Sequence, residues 1–292
     1  MIGSYRTTEA FRAALEERTR QIAQKLGVEV MQVRRQVAFD RLLARLFAAP
    51  DAPWILKGGY TFELRLGEKA RITRDIDLSI SDIRRLGVNG EAATDANNVT
   101  LRFLQNATQA ELGDGFVYKV GNPMADLDGA PYGGARYPVE AHLADRVFTK
   151  FHLDVGIGDA TPLAPEWLTG QDLLGFAGIP PVRVAAIARE QQFAEKIHAY
   201  TLPHGERTNT RVKDLIDLVL LIQLGFTDSA VLKRVIHATF ERRATHAVPA
   251  VLETPPEDWR VTFTRMANNI KMPLSLDEAF AEVVTFWQTL AS

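Results

Sequence analysis

Lys57, the glycine pair Gly58-Gly59 and the acidic pair Asp75-x-Asp77 are the residues whose types and spacing lend themselves most directly to chemistry. A Gly-Gly turn lets backbone N–H groups approach an anion without side-chain hindrance, and at a helix N-terminus the partial positive charge favours phosphate. Two aspartates two positions apart on a strand project from one face, roughly 7 Å apart at the backbone. That arrangement suits oxygen ligation of one or two Mg2+ ions, with water and phosphate completing the shell. Asp154, on the polar face of another candidate strand, offers a third carboxylate or a general base. These are the parts that phosphoryl and nucleotidyl transfer need, since such reactions consist mainly of positioning polyphosphate and neutralising charge. Separately, a Gly-Gly pair is ordinarily a turn and an exposed Asp-x-Asp ordinarily solvated. The order strand, Gly-Gly, helix, Asp-x-Asp makes them one mechanical unit.

The flanking sequence predicts the elements that hold them. Residues 8–48 have helical periodicity, ending with a helix from Val30 to Phe47. Trp54-Ile55-Leu56 reads as a short buried strand between Pro53 and Gly58, and Tyr60 to Leu66 as a short helix. From Asp75 to Ser81 apolar and polar residues alternate strictly, the mark of a half-buried strand. A helix near Asn97 to Leu112 is followed by two strands, Val139 to Leu143 and Phe148 to Ile157, close enough to form an antiparallel pair. In the second, Phe151, Leu153, Val155 and Ile157 face inward, leaving His152 and Asp154 on the opposite side. From about Pro180 onward helices dominate: Arg189 to Tyr200, Lys213 to Leu224, Ser229 to Thr239 and Leu276 to Leu290. The Gly/Pro-rich stretch from Gly158 to Pro181 is the expected linker. The expected organisation is an α/β lobe over residues 1–170 and a helical lobe over 171–292.

Composition narrows the classes. A chain of 292 residues with 46% hydrophobic content suffices for one large or two ordinary domains. It has no cysteine, which excludes disulfides, thiolate zinc sites and cysteine nucleophiles and fits a reducing compartment. The N-terminus lacks an apolar leader stretch, and no apolar run approaches the roughly 20 residues that span a bilayer. The expectation is a cytoplasmic protein with no membrane partner. A net charge of −2 argues against indiscriminate nucleic-acid binding. Arginines concentrated at Arg34, Arg35, Arg41, Arg45, Arg65, Arg71, Arg74, Arg84 and Arg85 could follow a phosphate backbone or simply coat solvated helix surface. Walker A, H-E-x-x-H and G-x-S-x-G sequences are absent.

The helix from Lys213 is apolar nearly all round Asp217, so this carboxylate is expensive to bury unless paired. Lys213, Arg211 and Lys196 are its candidate partners. One reading has Lys196 binding nucleotide phosphate with Asp214 or Asp217 orienting it; the other has an ion pair fixing two helices.

Leu56-Lys57-Gly58-Gly59-Tyr60-x-Phe62-Glu63-Leu64-Arg65, followed by Arg71-Ile72-Thr73-Arg74-Asp75-Ile76-Asp77-Leu78, resembles the first motif of the AbiEii/AbiGii nucleotidyltransferase toxins, the family of MenT-like proteins. Phe151-His152-Leu153-Asp154-Val155-Gly156 is similar to its third-carboxylate strand, and Ala194-Glu195-Lys196-Ile197-His198-Ala199 to its lysine helix. Arg211-Val212-Lys213-Asp214-Leu215-Ile216-Asp217-Leu218 is similar to its C-terminal acidic helix. The family often carries a small or hydroxyl residue where this chain has Tyr60. The resemblance implies a two-lobed nucleotidyltransferase fold, with a mixed sheet in the first lobe and helices in the second. It implies NTP as substrate and Mg2+ held by Asp75, Asp77 and Asp154, with Lys196 and Asp217 as further catalytic residues. Lys57, Gly58, Gly59, Tyr60, Arg71, Thr73, Lys213 and Asp214 are then the nucleotide-binding set. Thr73 is also the hydroxyl an antitoxin acting by modification would reach. The implied reaction adds nucleotides, often pyrimidines, to the 3′ end of tRNA, so blocking translation, under restraint by a cognate antitoxin. Transfer to a small-molecule or protein hydroxyl, and a catalytically silent binding protein, are the competing readings.

Overall fold

The computed structural model describes residues 2–86, 93–127, 130–203, 205 and 209–291. Helices α1 (Thr8–Leu26) and α2 (Val30–Leu46) come first. The Thr7 hydroxyl caps α1 by accepting from the Ala10 N–H at 3.2 Å, and Gly27 closes it at φ 67°. Strand β1 (Ile55–Lys57) runs into helix α3 (Gly58–Leu66), and β2 (Asp75–Ile80) carries the acidic pair. Then follow α4 (Ala93–Thr108), β3 (Phe116–Val120), β4 (Ala125–Asp126), β5 (Gly134–Leu143), β6 (Arg146–Ile157), β7 (Glu166–Thr169) and β8 (Arg183–Ala186). Helices α5 (Arg189–Thr201), α6 (Val212–Leu224), α7 (Ser229–Arg243), α8 (Trp259–Asn269) and α9 (Leu276–Ala291) complete the chain. Among the described residues no helix is long and apolar enough to cross a membrane.

The chain divides into two compact units: Met1–Arg65 with Ile72–Gly158 and Glu166–Ala186, and Leu66–Arg71 with Asp159–Pro165 and Ile187–Ser292. The first holds the sheet, in the order β3-β5-β6-β2-β1-β8-β7, with β4 added to β5. The β2–β6 and β1–β8 pairs are parallel and the others antiparallel, so the sheet is mixed. The expected β5–β6 hairpin is present, with the ends at Leu143 and Ile157 as expected and both strands starting earlier than the apolar runs marked, at Gly134 and Arg146. Two findings depart from expectation. The stretch read as a linker contains β7, which joins the sheet edge; its four residues are too few to show alternation between flanking prolines and glycines. Helix α8 is also additional to the expected elements: only Trp259, Phe263 and Ala267 of it are buried, and its other apolar residues, Val261 and Met266, do not extend that stripe.

One sheet face is apolar. Leu56, Ile76, Leu78, Ile80, Leu153, Val155, Val184 and Ala186 are fully buried there in a core with Phe11, Phe39 and Leu42 of α1 and α2. The N-terminal arginines prove to be mostly structural. Arg45 donates to Asp114 at 2.8 and 2.6 Å and to the Phe116 carbonyl at 2.7 Å, all buried, and Arg41 pairs with Asp40 at 2.7 Å. Arg65 pairs with Glu166 at 2.9 Å and Arg84 with Asp82 at 2.9 Å. Arg41, Arg45 and Arg65 fix helices and strands, whereas Arg84 is a solvated side chain; neither a phosphate track nor a solvated coat describes the buried pair Arg41 and Arg45.

In the helical unit α6 is buried nearly all round, as its sequence predicts, with Lys213 and Gln223 exposed. Phe193 of α5 packs edge-on against Phe226 at 5.3 Å and Phe286 of α9 at 5.5 Å. His198 is wedged between the Phe240 ring at 4.8 Å and the His246 ring at 4.7 Å, with Nε2 2.8 Å from the Thr245 hydroxyl. Burial first, then the nearby Arg243 and His246, push its pKa down to about 4, against the weaker pull of Asp159. The unfolded chain therefore binds the imidazole proton more readily than the folded one, so stability rises with pH between about 4 and 6.5, by on the order of 2–3 kcal/mol. Denaturant midpoints across that window should show the slope in wild type and lose most of it in His198→Gln; an unchanged slope would assign it elsewhere.

Candidate functional site

The strand registers place four charged residues in one row. Lys57 of β1 lies opposite Asp77 of β2, Asp77 opposite Asp154 of β6, and Asp154 opposite Arg136 of β5. Two carboxylates on adjacent strands, about 4.8 Å apart at the backbone, are thus bracketed by two cations. Arg136 grips Asp154 bidentately, Nε to Oδ1 at 2.8 Å and Nη2 to Oδ2 at 2.8 Å, and its Nη2 lies 4.0 Å from Asp75 Oδ2. The hydrogen bonds that it donates to Asp154 first, and then the fields of Asp154, Asp75 and Asp77, hold the guanidinium protonated beyond its ordinary range. Two residues along, on the same face, Asp75 lies opposite His152, whose Nδ1 is 3.2 Å from Asp75 Oδ1.

Glycines make the row possible. Gly58 sits at φ 68°, and a methyl group on it would overlap the Asp77 carboxylate. The carboxylate therefore lies directly against the first residue of α3. A Cβ on Gly156 would meet Lys57 Nζ at 3.4 Å, so the ammonium extends over a bare strand position. Gly59 is buried in the first turn of α3, where the Thr61 hydroxyl donates to the Gly58 carbonyl at 2.7 Å. The buried Glu63 accepts from the Thr73 N–H at 2.6 Å and from Gln36 at 2.9 Å, tying α3 to the chain that enters the acidic strand. The Thr73 hydroxyl donates to the Asp75 carbonyl at 3.3 Å, a local cap on that strand. Tyr60 turns into the core, 3% exposed and edge-on to Phe39 at 5.1 Å.

Asp75 and Asp77 are half-exposed hard oxygen donors on one face, which fits a divalent cation. Asp154 as it stands has both oxygens on Arg136. Among the described residues no three His, Asp or Glu side chains are already grouped as a ligand set.

The helical unit gathers a second cluster. Lys196 of α5 reaches Asp214 at 2.8 Å and Asp217 at 2.8 Å, both on α6, and Arg71 forks onto Asp217 at 2.7 and 2.8 Å. Arg211 is 3.6 Å from Asp214, while Lys213 is exposed on the outer face of α6. Burial alone would strip the Lys196 proton, but Asp214 and Asp217 outweigh it and hold the ammonium above its ordinary range. Burial likewise opposes the Asp217 charge, and Arg71 with Lys196 reverses the balance, leaving its carboxyl below its ordinary range. Of the three partners the sequence offered for Asp217, Lys196 is realised; Arg71 is the unforeseen one.

Three residues of these clusters escaped sequence reasoning: Arg136, Glu63 and Arg71 as an Asp217 partner. Extending the alternation of β5 back from Val139 places Tyr137 and Ala135 inward and Arg136 outward, which is the signal for Arg136. Asp217 is fully buried between two cations, so Asp217→Asn should cost about 3–5 kcal/mol of unfolding free energy. Arg211→Ala, at a 44% exposed side chain, should cost no more than about 1 kcal/mol. Urea midpoints compare the two, and equal losses would contradict this cluster's buried geometry.

The model of the family described as nucleotidyl transferase AbiEii toxin, type IV TA system, matches residues 41–285. The solved structure of MenT4, a nucleotidyltransferase toxin from Mycobacterium tuberculosis H37Rv, superposes with a TM-score of 0.56 at 17% identity, covering 94% of this chain and 99% of that one. It shares the fold. A solved H. pylori protein described as a candidate nucleotidyltransferase gives 0.45 at 16% identity, over 88% of this chain and 93% of that one, too loose to bear on the comparison. No curated protein matches the chain in sequence. The family match takes in the Gly58-Gly59 turn, the acidic strand, the Asp154 strand and the Lys196 and Asp217 helices, and the chain belongs to the AbiEii nucleotidyltransferase toxins of type IV toxin–antitoxin systems.

Proposed function

We propose that this protein transfers a nucleotidyl group, preferably of a pyrimidine NTP, to the 3′ end of tRNA, thereby blocking translation, and that a cognate antitoxin restrains it. The observation that carries the reading is the row Lys57, Asp77, Asp154, Arg136 beside the Gly58 turn. Cations suited to phosphate oxygens and carboxylates suited to a divalent cation share one sheet face there, which supports the reading.

In this reading the acceptor 3′-hydroxyl oxygen forms a bond to the α-phosphorus, the bond to the bridging oxygen breaks, and pyrophosphate leaves while the hydroxyl proton passes to a base. Mg2+, held by Asp75 and Asp77, supplies charge neutralisation on the triphosphate when bound. Lys57 binds phosphate oxygen from above Gly156, and the Gly58-Gly59 backbone N–H groups at the start of α3 bind it without a side chain in the way. Arg136 is poised for the same anion. Asp154 acts through Arg136, whose guanidinium it orients. Lys196, fixed by Asp214 and Asp217, and Arg71 bind phosphate in the helical unit, with Lys213 offering an exposed charge. Thr73 contributes by capping the acidic strand, and Tyr60 by packing α3.

Each α-labelled NTP, incubated with the protein, Mg2+ and total RNA, gives the test. Label should enter tRNA-sized RNA, most strongly from a pyrimidine NTP. Asp77→Ala should lower the rate about 10²–10³-fold or more. Gly58→Ala should do so comparably, because its Cβ displaces the Asp77 carboxylate. Label found in a protein or small molecule and absent from RNA would overturn the acceptor; equal activity of Asp77→Ala would overturn the site.

A further inference from the structure

The sheet face that carries the acidic pair ends in an exposed aromatic platform. Lys57 shares a face with Asp77, while Leu56 is opposite Ala186 on the buried face, so Ala185 and Arg183 of β8 fall on the acidic-pair side. Trp167 of β7 lies opposite Ala185, and Thr169 opposite Arg183, which brings Trp167 onto that same side. The burial pattern agrees: Val184 and Ala186 are fully buried, whereas Arg183 and Trp167 are exposed. Trp167 is 62% exposed, while Trp54, Trp259 and Trp287 are 2%, 4% and 6% exposed. Arg183 holds its guanidinium carbon 5.6 Å from the Trp167 ring centroid.

We propose that Trp167 and Arg183 form a stacking platform for the single-stranded 3′ segment of the acceptor RNA, a few nucleotides upstream of the reacting end. The inference rests on RNA being the acceptor. A large ring held open to solvent beside a cation matches what a polynucleotide presents repeatedly, a π-face next to a phosphate. From β2 to β7 the sheet crosses three strand spacings, about 14 Å. That is the length of roughly four stacked nucleotides at about 3.4 Å each. An RNA whose 3′-hydroxyl meets the Asp75–Asp77 pair can therefore lay an upstream base on Trp167 without leaving this face. Arg183 both rigidifies the ring and offers charge to the neighbouring phosphate.

The full chain is titrated with a 5′-labelled single-stranded oligoribonucleotide with a free 3′-hydroxyl, read by anisotropy and by quenching of the exposed tryptophan, in parallel with the NTP-labelling assay. Trp167→Ala should weaken oligonucleotide binding about 10-fold and raise KM for RNA similarly. Trp167→Phe should keep most of the affinity, and Arg183→Ala should lower the salt slope by about one. KM for NTP and labelling of a dinucleotide acceptor, too short to reach β7, should stay unchanged in all three. If wild type labels RNA and Trp167→Ala binds and labels it equally well, the platform is wrong and the RNA acceptor stands. If wild type neither binds nor labels RNA but labels another acceptor, both fail. If Trp167→Ala loses binding of the purified antitoxin while keeping RNA binding, the surface serves a protein and the platform is overturned.

Discussion

Two carboxylates on neighbouring strands repel each other, and Asp77 and Asp154, which the β2–β6 pairing sets one strand spacing apart, are bracketed by Lys57 and Arg136 at either end of the row. Much of the surrounding architecture follows from keeping that row intact on a solvent-facing sheet surface. Glycine at 58 lets the helix start touch the Asp77 carboxylate, and glycine at 156 leaves room for the Lys57 ammonium. Glu63 clamps the chain just before Asp75, and His152 takes one oxygen of Asp75. The opposite face is uninterrupted hydrocarbon, which fixes the register: a one-residue slip of β2 would bury both aspartates.

The second cluster obeys a stricter rule because it is buried. Asp217 is inaccessible and stays charged through two cations, Arg71 and Lys196, from different segments. Removing one member leaves an uncompensated charge, so the cluster carries a steep structural penalty. In the chain, Arg71 is the last residue of its segment of the helical unit, and the sheet unit resumes with Ile72 just before the acidic strand. The first family motif therefore contributes residues to both units.

Much of this was legible in the sequence where periodicity was strong. The alternation of Asp75 to Ile80 fixed both a strand and the face its carboxylates share, and the all-round apolar stretch around Asp217 announced a buried charge. Short elements were not legible. Strands β7 and β8 are four residues each, and their membership in the sheet depends on pairing distant in sequence. Arg136 lay just outside the apolar run that marked its strand, and Arg71 chooses Asp217 across a long sequence separation that no local pattern encodes. Arginines 41 and 45 looked like surface charge because composition does not reveal that Asp40 and Asp114 wait in the core. The platform residues Trp167 and Arg183 were invisible for the same reason as their strands.

In the proposed reaction the Asp75–Asp77 pair, through a divalent cation, and Lys57 with Arg136 together hold the nucleoside triphosphate. Calorimetric titration of a non-hydrolysable NTP, with and without Mg2+, into wild type and Asp77→Asn tests it most directly. Binding should be strongly Mg2+-dependent in wild type and should lose that dependence in Asp77→Asn. Equal affinity in the presence and absence of Mg2+, or a variant indistinguishable from wild type, would contradict it.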